Sequence, residues 1–149
     1  FENNLARALL NISSQHPYFW IEDESQRIGT NMLPITFFKN MRNSICYFID
    51  IPFDARLQFI VQAYGKFAIA DLIAATLRIQ KRLGGLETKT AVNFLVENNI
   101  EGAFSILLKY YDKVYLKNIE AAAIPKFKTE KIVASEVHSI HNAGLLMHL

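Results

Sequence analysis

Tyr18-Phe19-Trp20-Ile21 breaks abruptly into Glu22-Asp23-Glu24-Ser25, and further along Ile45-Cys46-Tyr47-Phe48-Ile49 ends in the same way at Asp50. Short continuous apolar runs, bounded by acidic residues, predict strands buried on both faces, as in the parallel sheet of an α/β domain whose strand ends meet functional loops. Between them, Pro34 to Asn43 reads as a short helix with proline at its first turn. The unit is therefore strand, loop, helix, strand, with the crossover that parallel strands require.

Working outward, Leu5, Leu9 and Ile12 recur at helical spacing within Phe1 to Gln15, and Pro17 bars that helix from continuing. After Pro52 the pattern is helical: Leu57, Ile60, Val61 and Tyr64 form one stripe, and Ile69, Leu72, Ile73 and Leu77 the next. The second helix is expected to end in Lys81-Arg82-Leu83-Gly84-Gly85, cations facing the negative helix end and glycine free to stop it. Glu87 to Glu97 carries Ala91, Phe94 and Leu95 on one face; Phe104, Leu107, Leu108, Tyr111, Val114 and Tyr115 make a clean stripe. Tyr110, Tyr111 and Tyr115 could stack on bases or line a prenyl pocket, but the stripe places Tyr111 and Tyr115 in the core and leaves Tyr110 freer. Beyond Pro125, Lys131-Ile132-Val133-Ala134 reads as a third strand, and Asn142 into Leu145, Leu146 and Met147 as a last helix. Three strands and about six helices are an α/β architecture with too little sheet for its helices. No GxxxxGK[ST] phosphate loop is present.

The chain has 149 residues, 51% hydrophobic and 20% charged, which fits one globular domain and excludes a disordered one. A formal charge of +2 is too mild to announce nucleic-acid binding unaided. The single cysteine, Cys46, cannot form an internal disulfide and fits a reducing compartment. With no apolar run near ~18 residues and no signal-peptide pattern, the expectation is a soluble, cytoplasmic protein without a membrane partner. The opening on Phe1, inside a helix and without an initiator methionine, predicts a piece of a longer protein.

Several residues carry candidate chemistry. Glu22, Asp23 and Glu24 follow a predicted strand, where phosphate-binding α/β folds place a carboxylate to hold Mg²⁺ or its water. An exposed acidic turn with Asp23 or Ser25 capping the next segment explains them equally well. Arg27 could pair with a phosphate or with one of those carboxylates, and Gly29 would let backbone approach a ligand; an ion pair and a tight turn are the alternative. Arg78, Lys81, Arg82 and Lys89 could form a strip for RNA phosphates or a diphosphate, against the plainer role of complementing a helix dipole. Lys109, Lys113 and Lys117, at i, i+4, i+8 opposite the apolar stripe, read as a solvated face, with RNA contact the alternative. Cys46 lacks the electropositive setting of a reactive thiol. His138, His141 and His148 lack the partners of a metal site, so no metal is assigned there.

Four segments, Phe1-Glu2-Asn3, Trp20-Ile21-Glu22-Asp23-Glu24-Ser25-Gln26-Arg27-Ile28-Gly29, Arg82-Leu83-Gly84-Gly85 and Tyr110-Tyr111-Asp112, in this order and separation resemble the C-terminal half of bacterial tRNA 2-selenouridine synthases. The resemblance covers most of residues 1–119, and the E-D-E-S-x-R-I-G block is its most specific part. It implies that residues 1–149 are a single domain, the C-terminal part of a P-loop NTPase-like domain with a partial parallel sheet and a large helical subdomain over residues 54–119. It implies a phosphate loop and a rhodanese-like domain with a catalytic cysteine upstream. It further implies a transferase that exchanges sulfur for selenium at the wobble 2-thiouridine of tRNA through an S-geranyl intermediate. Selenophosphate and geranyl diphosphate would be substrates, with Mg²⁺ a possible companion of the diphosphate. On this footing Asp23 and Glu24 become candidate catalytic residues, Glu22, Arg27 and Gly29 ligand-binding ones, and Arg78, Lys81, Arg82 and Lys89 the tRNA-facing ones. Two other classes stay open: a non-catalytic helical module that binds RNA or protein, and a fragment of a nucleotide-dependent kinase-like protein.

Overall fold

The computed structural model describes residues 1–13, 18–23, 25–121 and 128–148. The chain divides into two compact units, Phe1–Cys46 with Ile124–Glu130, and Tyr47–Ala123 with Lys131–Leu149. Among the described residues helices dominate, and the sheet content is two separate two-stranded sheets.

In the first unit, helix α1 (Glu2–Ser13) precedes a small antiparallel hairpin of β1 (Arg27–Ile28) and β2 (Asn31–Met32). Gly29 and Thr30 make its two-residue turn, and Gly29 takes φ +62°, a conformation open to glycine at little cost. The hairpin is closed by Leu33 N–H donating to the Gln26 carbonyl and by the Gln26 side-chain amide donating to that of Leu33. Helix α2 (Ile35–Arg42) starts directly after Pro34, whose fixed φ suits a helix start, and ends with Lys39 and Arg42 in its last turn. Tyr18–Ile21 departs from expectation: it forms no strand, and its four side chains are 39–67% exposed. A continuous apolar run is stable as a strand only when both its faces are covered, and here they are not.

The strand expected at Ile45–Ile49 is present as β3 (Cys46–Asp50), half-buried throughout, and the third expected strand as β4 (Thr129–Val133). They pair with each other. Cys46 N–H donates to the Lys128 carbonyl at one end and Ala134 N–H to the Asp50 carbonyl at the other, so the strands run parallel. Their connection is the whole helical set: α3 (Phe53–Tyr64), α4 (Ile69–Arg78), α5 (Gln80–Leu83), α6 (Gly85–Val96) and α7 (Ile100–Ala121). Helix α8 (Ser139–Met147) follows β4.

Leu57, Phe104 and Leu108 form the buried centre of the second unit, with Phe53, Ile60, Val61, Leu72, Ile100 and Leu107 packed around them. Helix α7 packs against both α3 and α6, and α4 against α6. Ala91, Leu95 and Ala103 have no exposed surface, and the small alanines let the helix backbones approach closely. The turn from α6 to α7 is made by Asn98, in the left-handed region at φ 58°, and by Asn99, whose side-chain oxygen accepts the Gly102 N–H at 2.9 Å. At 22 residues α7 is about 33 Å long, whereas α3 and α6, at 12 residues each, span about 18 Å. It outruns its partners. Tyr111 and Val114, expected in the core, are therefore exposed, Tyr111 by 59%, while Tyr110 is half-buried.

Candidate functional site

In the first unit the acidic segment is tied down by charge. Asp23 Oδ1 meets Arg42 Nη1 at 2.5 Å, so the last turn of α2 holds the carboxylate, and the same guanidinium lies 5.2 Å from the centre of the Phe38 ring. Glu22, next to it, is exposed, and Glu24 lies outside the described residues. Arg27 does not take Asp23; its Nε donates to the Gly29 carbonyl at 3.2 Å across the hairpin turn, and the Ser25 hydroxyl donates to the Arg27 carbonyl at 2.7 Å. A side chain on Gly29 would meet nothing within 4 Å, so it is the positive φ that calls for glycine there. Asp23, Glu22, Arg27 and Gly29 thus share one short segment on which a structural pairing and an accessible carboxylate coexist.

Cys46 lies half-buried at the start of β3. Burial pushes its thiol pKa up, the Asp23 carboxylate pushes it further, and Arg42 opposes them. A protonated thiol is a poor nucleophile.

In the second unit Arg78 lies in the last turn of α4, Lys81 and Arg82 on the single turn α5, and Lys89 on α6; all four are exposed, and the described ion pairs include none of them. The helix expected to run through to Gly84 is broken at Ile79, which separates Arg78 from Lys81 and Arg82 by a junction rather than a continuous turn. Gly84 follows at φ 104° and ψ 153°, a combination that only glycine adopts readily. Thr88 Oγ1 donates to the Gly84 carbonyl at 2.6 Å, fixing the start of α6. Dipole complementation accounts for Arg78, Lys81 and Arg82 at C-terminal turns but not for Lys89, near a helix N-terminus.

One cluster escaped the sequence reading. Arg56, in the first turns of α3, donates through Nη1 and Nη2 to the two Asp112 oxygens of α7 at 2.6 and 2.9 Å, and through Nε to the Ile51 carbonyl at 3.0 Å. The hydrogen bonds to Asp112 hold the guanidinium pKa above its ordinary value against the effect of burial, with Asp112, Asp50 and Tyr111 adding electrostatically. Asp50, at the end of β3, pairs with Lys131 at 2.7 Å. The available signal was position: Asp112 lies four residues after Leu108 on the apolar stripe, where a carboxylate calls for a cation. The Lys109 ammonium lies 5.9 Å from the Phe53 ring centre, while Lys113 and Lys117 are exposed. His138 is a helix cap, its Nδ1 accepting the His141 N–H at 3.1 Å. Among the described residues no three His, Cys, Asp or Glu side chains gather as a metal site, and no helix is long and apolar enough to cross a membrane.

Against known proteins, the model of the tRNA 2-selenouridine synthase AAA domain matches residues 1–140. The tRNA 2-selenouridine synthase of Shewanella frigidimarina is 32% identical over 80% of this chain and 41% of its own length. That of Shewanella piezotolerans is 31% identical over 83% of this chain and 42% of its own, and that of Nitrosomonas eutropha 30% identical over 62% and 24%. The chain spans about two fifths of the length of the first two. No solved structure matches it.

Proposed function

Because this chain belongs to the family of tRNA 2-selenouridine synthase AAA domains, we propose that it is the C-terminal part of the P-loop domain of such an enzyme. The observation that carries the proposal is the family match over residues 1–140. Two features support the placement. The β3–β4 pair is a minimal parallel sheet carrying a large helical connection, residues 54–119 acting as a helical subdomain, and the exposed Tyr18–Ile21 run has the composition of a strand whose neighbours lie elsewhere. On this reading the phosphate loop and the rhodanese-like cysteine belong to upstream segments of the same protein, and the enzyme works in the cytoplasm.

The reaction proposed is the conversion of wobble 2-thiouridine in tRNA to 2-selenouridine through an S-geranyl intermediate, with geranyl diphosphate and selenophosphate as substrates. Asp23 and Glu24 are its catalytic carboxylates. Glu22, Arg27 and Gly29 belong to the ligand-binding segment, and Arg78, Lys81, Arg82 and Lys89 take tRNA phosphates. Arg42 supports Asp23 by fixing one carboxylate oxygen, which keeps the loop charge in place. Where Mg²⁺ enters with a diphosphate, a carboxylate of the Glu22, Asp23 and Glu24 run would hold it or its water, since Mg²⁺ needs only one or two beside phosphate oxygens and water.

The test is paired melting and turnover of the full-length protein carrying Asp23→Asn and Glu24→Gln. Turnover should fall at least ~100-fold, the scale of a lost acid–base group, while melting moves little because partly exposed pairs contribute up to about 1 kcal/mol. Activity that merely tracks the folded fraction would make the two residues structural.

A further inference from the structure

Gly84 belongs to two helices at once. Its N–H donates to the Gln80 carbonyl at 3.0 Å and closes the single turn α5, whereas its own carbonyl accepts the Thr88 N–H at 3.0 Å and the Thr88 hydroxyl at 2.6 Å in the first turns of α6. The peptide plane before Gly84 is therefore fixed in one helix and the plane after it in the next. Peptide planes are rigid, so the φ and ψ of this one residue are the rotations that set α5 against α6. They stand at 104° and 153°, a region essentially reserved for glycine. A Cβ added there would meet Glu87 Oε2 at 2.7 Å, the far end of a flexible side chain that can swing away. The dihedral angles, more than the space, call for glycine.

What this joint carries is charge. In α5 Leu83 is buried, while Gln80, Lys81 and Arg82 are exposed. A turn of four residues is too short to keep a direction by itself, so α5 takes its direction from its two flanks. On the α4 side the chain passes through Ile79, whose φ of −99° and ψ of 5° other residues adopt as well; only on the α6 side does the backbone demand a particular residue. Thr88, which holds the Gly84 carbonyl, is itself buried.

We propose that Gly84 is a positioning residue that aims Lys81 and Arg82 at backbone phosphates of the tRNA. This role rests on the tRNA reading of the two cations given above, and adds that their direction matters as well as their charge.

The experiment uses the full-length protein and reads the dependence of tRNA affinity on salt, with melting to confirm the fold. Gly84→Ala should flatten the salt slope by about one for each cation it turns away. Gly85→Ala, beside it in the helix with nothing within 4 Å of the added Cβ, should leave affinity and slope as they are. Lys81→Ala with Arg82→Ala should flatten the slope too, and adding Gly84→Ala to that pair should change it no further, because the joint then has no cation left to aim. Transposing one charge, Gln80→Lys with Lys81→Gln, keeps the net charge and the joint but turns the ammonium by about 100° around the helix, and should flatten the slope by about one. A folded Gly84→Ala protein with the wild-type slope overturns the proposal and leaves the tRNA reading standing. So does further flattening when Gly84→Ala is added to the double variant, or a transposed protein with wild-type affinity and slope; where Gly84→Ala does not fold, the transposition decides. A wild-type slope for Lys81→Ala with Arg82→Ala overturns the tRNA reading of these cations and the proposal with it.

Discussion

Asp23 connects three side chains of the first unit: it pairs with Arg42, and both bear on the Cys46 thiol. The thiol pKa is raised above its ordinary value, with burial the largest cause. Cys46 should therefore react slowly with iodoacetamide near pH 7.5 and faster as pH rises. Asp23→Asn should speed the reaction at fixed pH by removing a carboxylate that disfavours the thiolate; Arg42→Ala should slow it. The opposite order would contradict the electrostatic assignment. The sign for stability follows: folding favours the protonated thiol, so this contribution is present below the unfolded pKa and is lost as pH rises through the folded one. Arg56 and Asp112 make a second residue-level prediction. Arg56→Ala or Asp112→Ala should each cost roughly 1–3 kcal/mol, and the double variant less than the sum, because each single change strands the remaining partner. Chemical denaturation of all four proteins checks this. Since Arg56 has a raised pKa, its contribution is present in full below arginine's ordinary value and is lost only above it. Raising the pH to 9 should leave the coupling unchanged.

Local signals placed most of the elements. Pro34 and Pro52 set the starts of α2 and α3, and the apolar spacing from Leu57 to Leu108 marked the packed faces, because prolines and periodicity act within a few residues of themselves. What the sequence concealed was non-local. Tyr18–Ile21 has strand composition, but a strand is made by its neighbours; Tyr111 lies on the apolar stripe, but periodicity does not tell how far the facing helices extend. The break at Ile79 has no glycine or proline to announce it. Of the candidate site, the acidic segment was legible as chemistry but not its cation, since Arg42 lies nineteen residues on in a different element. At the element scale, α4, α5 and α6 present Arg78, Lys81, Arg82 and Lys89 together as exposed cations of one unit. Replacing Arg78, Lys81 and Arg82 by alanine in the full-length protein should flatten the dependence of tRNA affinity on salt, since a phosphate that no cation neutralises keeps its counterions. If these cations only complement helix ends, the slope will stay and stability will fall by about 0.3–1 kcal/mol for each.

At the scale of the whole molecule, the chain belongs to the tRNA 2-selenouridine synthase AAA-domain family and spans about two fifths of the length of its first two relatives; the proposal makes it part of a tRNA-modifying enzyme whose chemistry is shared with other segments. The two-stranded β3–β4 sheet and the absence of a phosphate-loop motif in these 149 residues fit that division of labour. A cysteine that handles sulfur does so as an activated thiolate, and burial together with the Asp23 carboxylate disfavours the thiolate of Cys46. The most direct measurement is nucleoside analysis by mass spectrometry of tRNA from a bacterial host lacking its own 2-selenouridine synthase, supplied with the full-length protein or with residues 1–149 alone. The full-length protein should restore 2-selenouridine and residues 1–149 should yield none. A folded full-length protein that leaves 2-selenouridine absent, or residues 1–149 that form it unaided, would contradict the account.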